Sequence, residues 1–291
     1  LVPRGRDTAK ILYLIYIVMT VVQIIMLWVG DMNLYESIVH TFGTAGTGGF
    51  GIKADSVGGY SSYSQMVIAV FMLLFGINFA CFYLLILRRV RALFKDEELR
   101  LYLGLVGGSI LLIAWNIRHL YPTLGETVRH AAFQVSSIIT TTGFATTDFD
   151  LWPAISQMIL LLIRFVGACA GSTGGGLKVA RVLLLIKDAR RELKRLIHPR
   201  SVNVVTLDGK RVKDEVLRST NVYFYLYIFI LAASMLLVSF DNVDLVSDFT
   251  GVLTTLNNIG PGLDTVGPTG NFAGYSNLST FVLTLCMIIG R

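Results

Sequence analysis

The feature that most constrains this chain is a succession of long apolar runs separated by short polar segments. The clearest runs cover residues 11–29, 65–87, 101–115 and 222–240. A helix rises 1.5 Å per residue, so about twenty apolar residues cross a hydrocarbon core roughly 30 Å thick. Only 15% of the residues are charged, against about 25% in an ordinary soluble domain. The sequence therefore predicts an all-α membrane protein.

The basic residues lie between the apolar runs and indicate the orientation of the chain. Residues 88–100 carry five Lys or Arg, and residues 187–218 carry ten. Such linkers stay on the cytoplasmic side of a membrane, so the net charge of +6 needs no nucleic-acid partner. The loops predicted to face outside carry Asp31, Asp148, Asp150, Asp241 and Asp264.

One module occurs three times along the chain: a span, a short helix, a segment rich in Gly, Thr or Asn, and a second span. The short helices are predicted at residues 34–41 and 126–137 and around the apolar stretch 252–256. A single segment of this kind would be interpreted as a loop at a helix end. Three copies in matching places favour a shared function.

Irregular backbone is tolerated at membrane depth only if it is buried in protein or lines a water-filled cavity. Glycine lets successive carbonyls point one way, and several such strands around an axis can replace the hydration shell of a monovalent cation. We therefore predict that backbone carbonyls of residues 46–49, 140–143 and 257–260 bind the ion. The residues predicted to bind it are Thr47, Gly48, Gly49, Thr141, Thr142, Gly143, Asn258, Ile259 and Gly260.

A second glycine-rich stretch, residues 167–176, interrupts an apolar segment whose halves are residues 154–165 and 177–196. It can be interpreted as a wide linker at the cytoplasmic surface or as a break inside the membrane. The apolar sequence on both sides favours the break. A phosphate-binding loop is excluded, because Lys178 follows Leu177 rather than glycine and no Ser or Thr comes next.

These residues resemble the Trk/Ktr/HKT superfamily of potassium transporters, and within it the prokaryotic TrkH-type membrane subunits. The resemblance rests on four strings: TGGF at 47–50, TTTGF at 140–144, NNIGPG at 257–262 and GACAGSTGGGLK at 167–178. It implies a fold of four repeats, each a transmembrane helix, a re-entrant pore helix, a filter segment and a second transmembrane helix, around a pseudo-fourfold pore.

The resemblance also implies how the chain is divided. Residues 1–5 are similar to a thrombin-cleavage linker, and residues 6–95 correspond to the second repeat of the family. Residues 96–200 correspond to the third repeat, and residues 201–291 to a cytoplasmic linker and a truncated fourth repeat. The first repeat would then lie upstream of this sequence.

The implied function is the movement of potassium across a prokaryotic cell membrane, with K⁺ as the transported ion and no organic cofactor. The implied gate comprises Gly167, Gly171, Ser172, Thr173, Gly174, Gly175, Gly176 and Lys178, with Arg291 as a positive barrier below the filter. The implied partners are a second copy of the subunit, the lipid bilayer, and a cytoplasmic TrkA-type regulator with nucleotide-binding domains.

Two other functions compete with this one. A secondary transporter with discontinuous helices would explain the break at residues 167–176 but not three matching glycine segments. An intramembrane enzyme would need acidic or metal-ligating side chains inside the spans. Cys81, Cys169 and Cys286 have no metal-ligand spacing, so the chain is predicted not to be an enzyme.

Overall fold

The computed structural model describes residues 5–199 and 203–291, and in these residues the chain is mostly helical, with one short two-stranded sheet. The predicted linker at residues 1–5 lies, apart from Gly5, outside the described residues, as do residues 200–202 of the second basic linker. The helices fall into three successive modules, which confirms the predicted all-α repeat architecture.

The first module consists of a long helix, a short helix, and a second apolar segment in two pieces. Its helices are α1 (Gly5–Val29), α2 (Leu34–Ala45), α3 (Ser62–Phe75), α4 (Phe79–Ile86) and α5 (Val90–Lys95).

The second module repeats this order, and its last apolar segment is again divided. Its helices are α6 (Glu97–Ile117), α7 (Leu124–Ile139), α8 (Ala154–Val166) and α9 (Val179–Ile197). The non-helical residues 167–178 between α8 and α9 are called the glycine loop below.

The third module begins after a two-stranded antiparallel hairpin, β1 (Thr206–Leu207) and β2 (Lys210–Arg211), in which Thr206 pairs with Arg211. Its helices are α10 (Asp214–Val238), α11 (Leu245–Asn257) and α12 (Asn277–Gly290).

Three stretches of the described residues are long and apolar enough to cross a membrane: Ala9–Val29, Glu97–Ile117 and Asp214–Asp241. Together with the bent pair α3 and α4 and the shorter apolar helices α8 and α12, they make this a multi-pass membrane protein. The predicted spans at residues 11–29, 101–115 and 222–240 are confirmed.

The predicted span at residues 65–87 is divided into two helices, α3 and α4, which meet at an angle of 91°. Helix α3 ends at Phe75 with Gly76 as its C-cap, and the side chain of Asn78 starts α4 by accepting a hydrogen bond from the Ala80 N–H at 2.9 Å. The Phe75 and Gly76 carbonyls are then free to accept hydrogen bonds from the glycine loop. The break is therefore stabilised by a segment about ninety residues further along the chain.

In the first and third modules, an aspartate that follows the first long helix accepts a hydrogen bond from the N-cap residue of a later helix. After α1, the Asp31 carboxylate accepts hydrogen bonds from the backbone N–H and the hydroxyl of Ser61, the N-cap of α3. After α10, Asp241 accepts one from the backbone N–H of Ser276, the N-cap of α12. Each aspartate thus fixes where the next outer helix begins, which positions the short helix held between the two long ones.

The hydrophobic cores of neighbouring modules interlock. Phe133 and Phe144 belong to the second module but are fully buried in the core of the first. Ile259 and Leu263 of the third module are buried in the core of the second. The three modules are therefore packed side by side in chain order, with their short helices toward the middle.

Candidate functional site

The segment that follows each short helix folds its N–H groups back onto that helix. The N–H of Gly48 donates to the Gly43 carbonyl at 2.8 Å, that of Thr142 to the Ser137 carbonyl at 2.9 Å, and that of Ile259 to the Thr254 carbonyl at 2.9 Å. In each case the acceptor lies five residues earlier. The same bond in three modules satisfies the N–H donor with a helix carbonyl, so these segments repeat one hydrogen-bonding pattern.

The backbone conformation repeats as well. Two residues before each aligned glycine, Thr47, Thr141 and Asn258 have φ values of 50°, 58° and 57°. The glycines themselves, Gly49, Gly143 and Gly260, have φ values of 65°, 92° and 108°. Left-handed φ is costly for residues with a side chain, and three matched occurrences indicate a common geometry maintained by the surrounding structure. Placing left-handed residues at alternate positions turns successive carbonyls toward one side.

The three segments lie next to one another. A Cβ atom placed on Gly49 would lie 2.1 Å from the Thr142 carbonyl oxygen, and one placed on Gly143 would lie 1.9 Å from the Ile259 carbonyl oxygen. Gly260 in turn lies beside Gly143, with a corresponding distance of 3.8 Å to its Cα. Only glycine permits such close backbone approach. The nine residues predicted to bind the ion are therefore brought together as adjacent strands.

Two clefts are lined by residues of the three segments. A cleft of about 290 Å³ on the outer side is lined by all three aligned glycines, and Lys53 is its only charged lining residue among the described residues. A second cleft, of about 480 Å³, lies between residues 46–48 of the first segment and residues 258–260 of the third. An array of carbonyl oxygens bordering these clefts suits a desolvated cation of low charge, because carbonyl dipoles can replace its water.

The short helices α2, α7 and α11 end where the segments begin, so their C-terminal ends point toward the carbonyl array. The carbonyl end of a helix carries a partial negative charge. These helices are stabilised in the membrane by protein contacts, since the last turns of all three are largely buried. Their geometry adds a second source of negative potential at the site.

One buried arginine supports the third segment from behind. Arg164 in α8 is fully buried, and its Nη2 donates to the Gly262 carbonyl at 3.0 Å. Its guanidinium lies 5.5 Å from the centre of the Phe149 ring. In the adjacent outer loop, burial raises the pKa of Asp150 to about 6. The Asp148 carboxylate adds to this increase, and the Arg164 guanidinium opposes it. The hydrogen-bond partner of Arg164 is thus a backbone carbonyl just past the third segment.

The glycine loop passes directly below the carbonyl segments. The Gly175 N–H donates to the Thr141 hydroxyl at 2.6 Å, and the Thr47 hydroxyl donates to the Thr173 carbonyl at 3.1 Å. A Cβ on Gly174 would lie 3.0 Å from the Thr140 carbonyl oxygen, so a side chain there would crowd the segment above it. The loop therefore contacts the first and second segments through its backbone.

The ends of the glycine loop are also closely packed. Gly167 has a φ of 73° and contacts Gly175 and Gly176, while Gly171 has a φ of 71° and contacts the Asn78 side chain. The predicted halves of the interrupted helix, residues 154–165 and 177–196, agree with α8 and α9 to within about two residues. The break between them is thus confirmed as a structural feature, and its position is below the carbonyl array.

Two basic side chains, one in the glycine loop and one at Arg291, donate to backbone carbonyls in this region. Lys178 donates from its Nζ to the Gly174 carbonyl, and Arg291 donates from its Nη2 to the Gly46 carbonyl at 3.3 Å. Both residues line a cleft of about 940 Å³ together with residues 171–176. The structure thus places Arg291 against the first carbonyl segment rather than away from it.

Two elements of this site were not predicted from the sequence. The break between α3 and α4 supplies acceptors for the glycine loop, and Gly76 and Asn78 inside an apolar run were its available signal. Glu98, which the charge pattern assigns to a cytoplasmic linker, is buried against the glycine loop. Among the described residues, no cluster of three or more His, Cys, Asp or Glu is arranged to hold a metal ion.

Known proteins share both the sequence pattern and the fold of this chain. The sequence profile of the TrkH family, described as a cation transport protein, matches residues 1–291. "Trk system potassium uptake protein TrkH" of Salmonella typhimurium strain LT2 is 38% identical over 294 residues, covering 99% of this chain and 60% of that protein. The protein of the same name from Escherichia coli strain K12 is 37% identical over 294 residues, with the same coverage.

The crystal structure of the potassium transporter TrkH from Vibrio parahaemolyticus superposes with a TM-score of 0.89 at 33% identity, covering 100% of this chain and 63% of that one. This chain therefore spans about 60% of the length of the curated relatives it matches.

The fold and the site define a class: a multi-pass helical membrane protein whose repeated short helices end in adjacent carbonyl-bearing segments. The match over the whole chain then gives the family. The chain belongs to the TrkH family of cation transport proteins, as its motifs predict.

Proposed function

We propose that this chain forms part of the pathway by which a potassium ion crosses the membrane, with the three carbonyl segments as its selectivity filter. The observation that supports the proposal is the threefold repetition of one backbone geometry, in which the N–H groups bond to the short helix and the left-handed φ values recur at the same positions. Both relatives compared above are named potassium uptake proteins, which agrees with potassium as the ion carried.

In this proposal the modules are the second, third and fourth repeats of a pore, with residues 6–95, 96–200 and 201–291 as their approximate limits. Each contributes one segment to a ring of oxygens. Gly49, Gly143 and Gly260 keep neighbouring backbones close enough for their carbonyls to act on one ion. The rest of the full-length protein would supply the first repeat.

The glycine loop is the proposed gate. It lies below the filter, contacts it through hydrogen bonds from Gly175 and Thr47, and connects through α9 to the cytoplasmic linker. We propose that a second copy of the subunit and a cytoplasmic nucleotide-binding regulator complete the assembly. A cleft of about 430 Å³ lined by Lys187, Arg190, Arg191 and Lys194 supports a cytoplasmic docking role for the second basic linker.

The proposal is tested by measuring ion flux into proteoliposomes that contain the full-length protein. Potassium uptake should exceed sodium uptake by at least about tenfold, and a neutral organic solute should not enter. Uptake of a solute that depends on a sodium or proton gradient would instead favour a secondary transporter. Discontinuous helices such as α3–α4 and α8–α9 also occur in that class of protein.

Replacing Arg291 by alanine should raise potassium flux in the full-length protein. At an effective dielectric constant near 20, a unit charge about 6 Å away repels a cation by about 3 kcal/mol. The guanidinium lies against the Gly46 carbonyl but is exposed, so solvent screens most of this repulsion and its removal should increase flux several-fold without changing ion preference. The matched control is Arg218→Ala, an exposed arginine on α10 that lies outside the clefts of the filter. Equal flux in the two variants and the wild type would contradict the barrier role.

A further inference from the structure

Glu98 is a buried carboxylate that contacts both flanks of the glycine loop. It is the second residue of α6 and is only 8% exposed. Its Oε1 accepts a hydrogen bond from the Ala170 N–H, in the first half of the loop, and another at 3.1 Å from the Ala180 N–H, at the start of α9. One oxygen atom of a neighbouring helix therefore joins the two ends of the loop.

The position of Ala180 explains why a carboxylate is favoured here. It is the second residue of α9, where backbone N–H groups have no partner within the helix. The N-cap of α9, Lys178, has a side chain that cannot accept a hydrogen bond, so it does not cap the first N–H groups of the helix. Glu98 supplies the missing acceptor from α6, and its negative charge lies at the positive end of the α9 dipole. Hydrogen bonds to a charged acceptor are stronger than those between neutral groups.

Between its two donors, the loop makes the turn that carries Gly174 and Gly175 below the carbonyl segments. A further bond, from the Val179 N–H to the Ala168 carbonyl at 3.0 Å, closes the base of this turn. If the Glu98 bonds were lost, Ala170 would have no acceptor, and the part of the loop nearest the cytoplasm would be free to move. The loop's position thus depends on a side chain outside it.

We propose that Glu98 is a positioning residue that keeps the glycine loop in its place under the filter, and that its release accompanies opening. This inference rests on the proposed role of the loop as a gate. Neither the family match nor the motif strings assign a role to Glu98.

The neighbouring residue extends the connection toward the cytoplasm. Glu97 forms an ion pair with Lys187 of α9, and Lys187 also donates to the Thr206 carbonyl of the hairpin at 2.7 Å. The Glu97 N–H donates to the Asp208 carboxylate at the hairpin turn, at 2.9 Å. The first turn of α6 therefore bonds the hairpin on one side and the glycine loop on the other. A ligand that shifts the hairpin would act on Glu98 through one helical turn.

The test uses the full-length protein in proteoliposomes and three substitutions of Glu98, by leucine, glutamine and aspartate. Glu98→Leu removes the acceptor and should raise basal potassium flux by about tenfold, which corresponds to a shift of about 1.4 kcal/mol in the opening equilibrium. Glu98→Gln keeps a side-chain oxygen for both donors, so its basal flux should stay as low as that of the wild type. The matched control is Glu215→Leu, since Glu215 is also the second residue of its helix, α10, but is exposed.

A labelling measurement separates positioning from folding. In a Ser172→Cys background, a membrane-impermeant thiol reagent added on the cytoplasmic side should react faster when Glu98→Leu is present. The three native cysteines are buried and give a low background. Should Glu98→Leu fail to assemble, Glu98→Asp keeps the charge but is one methylene too short to reach both donors. It should raise the labelling rate and flux in the same direction, to a smaller extent.

The outcomes distinguish this inference from the proposed gate. If deleting residues 170–174 raises flux but Glu98→Leu and Glu98→Asp leave both flux and labelling at wild-type values, Glu98 has no positioning role. If neither the deletion nor the Glu98 variants raise flux, the loop is not a gate and the inference fails with it. Faster labelling and higher flux in Glu98→Leu, with wild-type values in Glu98→Gln, support the inference.

Discussion

Replacing Gly143 by serine should reduce the preference for potassium over sodium by at least tenfold, a change equivalent to about 1.4 kcal/mol or more. Gly143 has a φ of 92°, a conformation that costs a residue with a side chain roughly 1–2 kcal/mol. The steric clash of the added side chain with the third segment is the larger effect. A Cβ there would lie 1.9 Å from the Ile259 carbonyl oxygen and 3.1 Å from its carbon, so two neighbouring filter segments must separate.

The effect should fall on selectivity more than on folding. The second carbonyl segment is anchored by hydrogen bonds from Thr142 and Thr141 to α7, and these do not involve the Gly143 Cα. The measurement is the ratio of potassium to sodium flux through the full-length protein, with the amount of assembled protein determined in parallel. Gly108→Ser is the matched control, because Gly108 lies on α6 and a Cβ placed on it would meet no other atom within 4 Å. Unchanged flux ratios in a well-assembled Gly143→Ser protein would contradict the filter assignment.

Deleting residues 170–174 should raise basal potassium flux by about tenfold or more and weaken its dependence on any cytoplasmic regulator. The deletion removes the hydrogen bonds from Thr47 to Thr173 and from Ala170 to Glu98, together with the carbonyl that accepts from Lys178. The shortened loop can no longer reach under both the first and the second filter segments. A regulator can act on the loop only if it binds the open and closed states with different affinity.

Flux and its regulator dependence should be measured together, and the potassium-to-sodium ratio serves as the check on folding. The filter segments keep their own bonds to α2, α7 and α11, so the ratio should stay near the wild-type value. Gly175→Ala is a milder variant of the same test, since its Cβ would lie 2.5 Å from the Asn257 carbonyl oxygen and push the loop away from the filter. Wild-type flux with normal regulation in an assembled deletion protein would show that the loop is only a linker.

The long spans and the repeat could be predicted because they depend on local patterns. The length of the apolar runs predicted α1, α6 and α10, and the aligned glycines predicted where the three carbonyl segments lie. The third short helix was predicted only around residues 252–256, although α11 begins at Leu245. The helix starts there because the Asp244 side chain accepts from the Val246 and Ser247 N–H groups, a cap that lies outside the apolar stretch.

Other features depend on contacts between distant parts of the chain. The left-handed φ of Thr47 and Thr141 could not be inferred from residue type, since threonine rarely adopts it. The break between α3 and α4 lies in a stretch whose composition alone predicts one continuous helix. Its carbonyls gain partners only when the glycine loop, far along the chain, has folded against them. The role of Glu98 likewise depends on which helix packs beside α6.

The interlocked cores have a consequence for biosynthesis. Phe133 and Phe144 complete the core of the first module, and Ile259 completes that of the second, so these two modules each need the one translated after it. As the ribosome delivers the chain from its N-terminus, a newly inserted module must wait in the bilayer with part of its core unfilled. Damage to one module should therefore be detected by quality-control proteases as a defect in the module that precedes it.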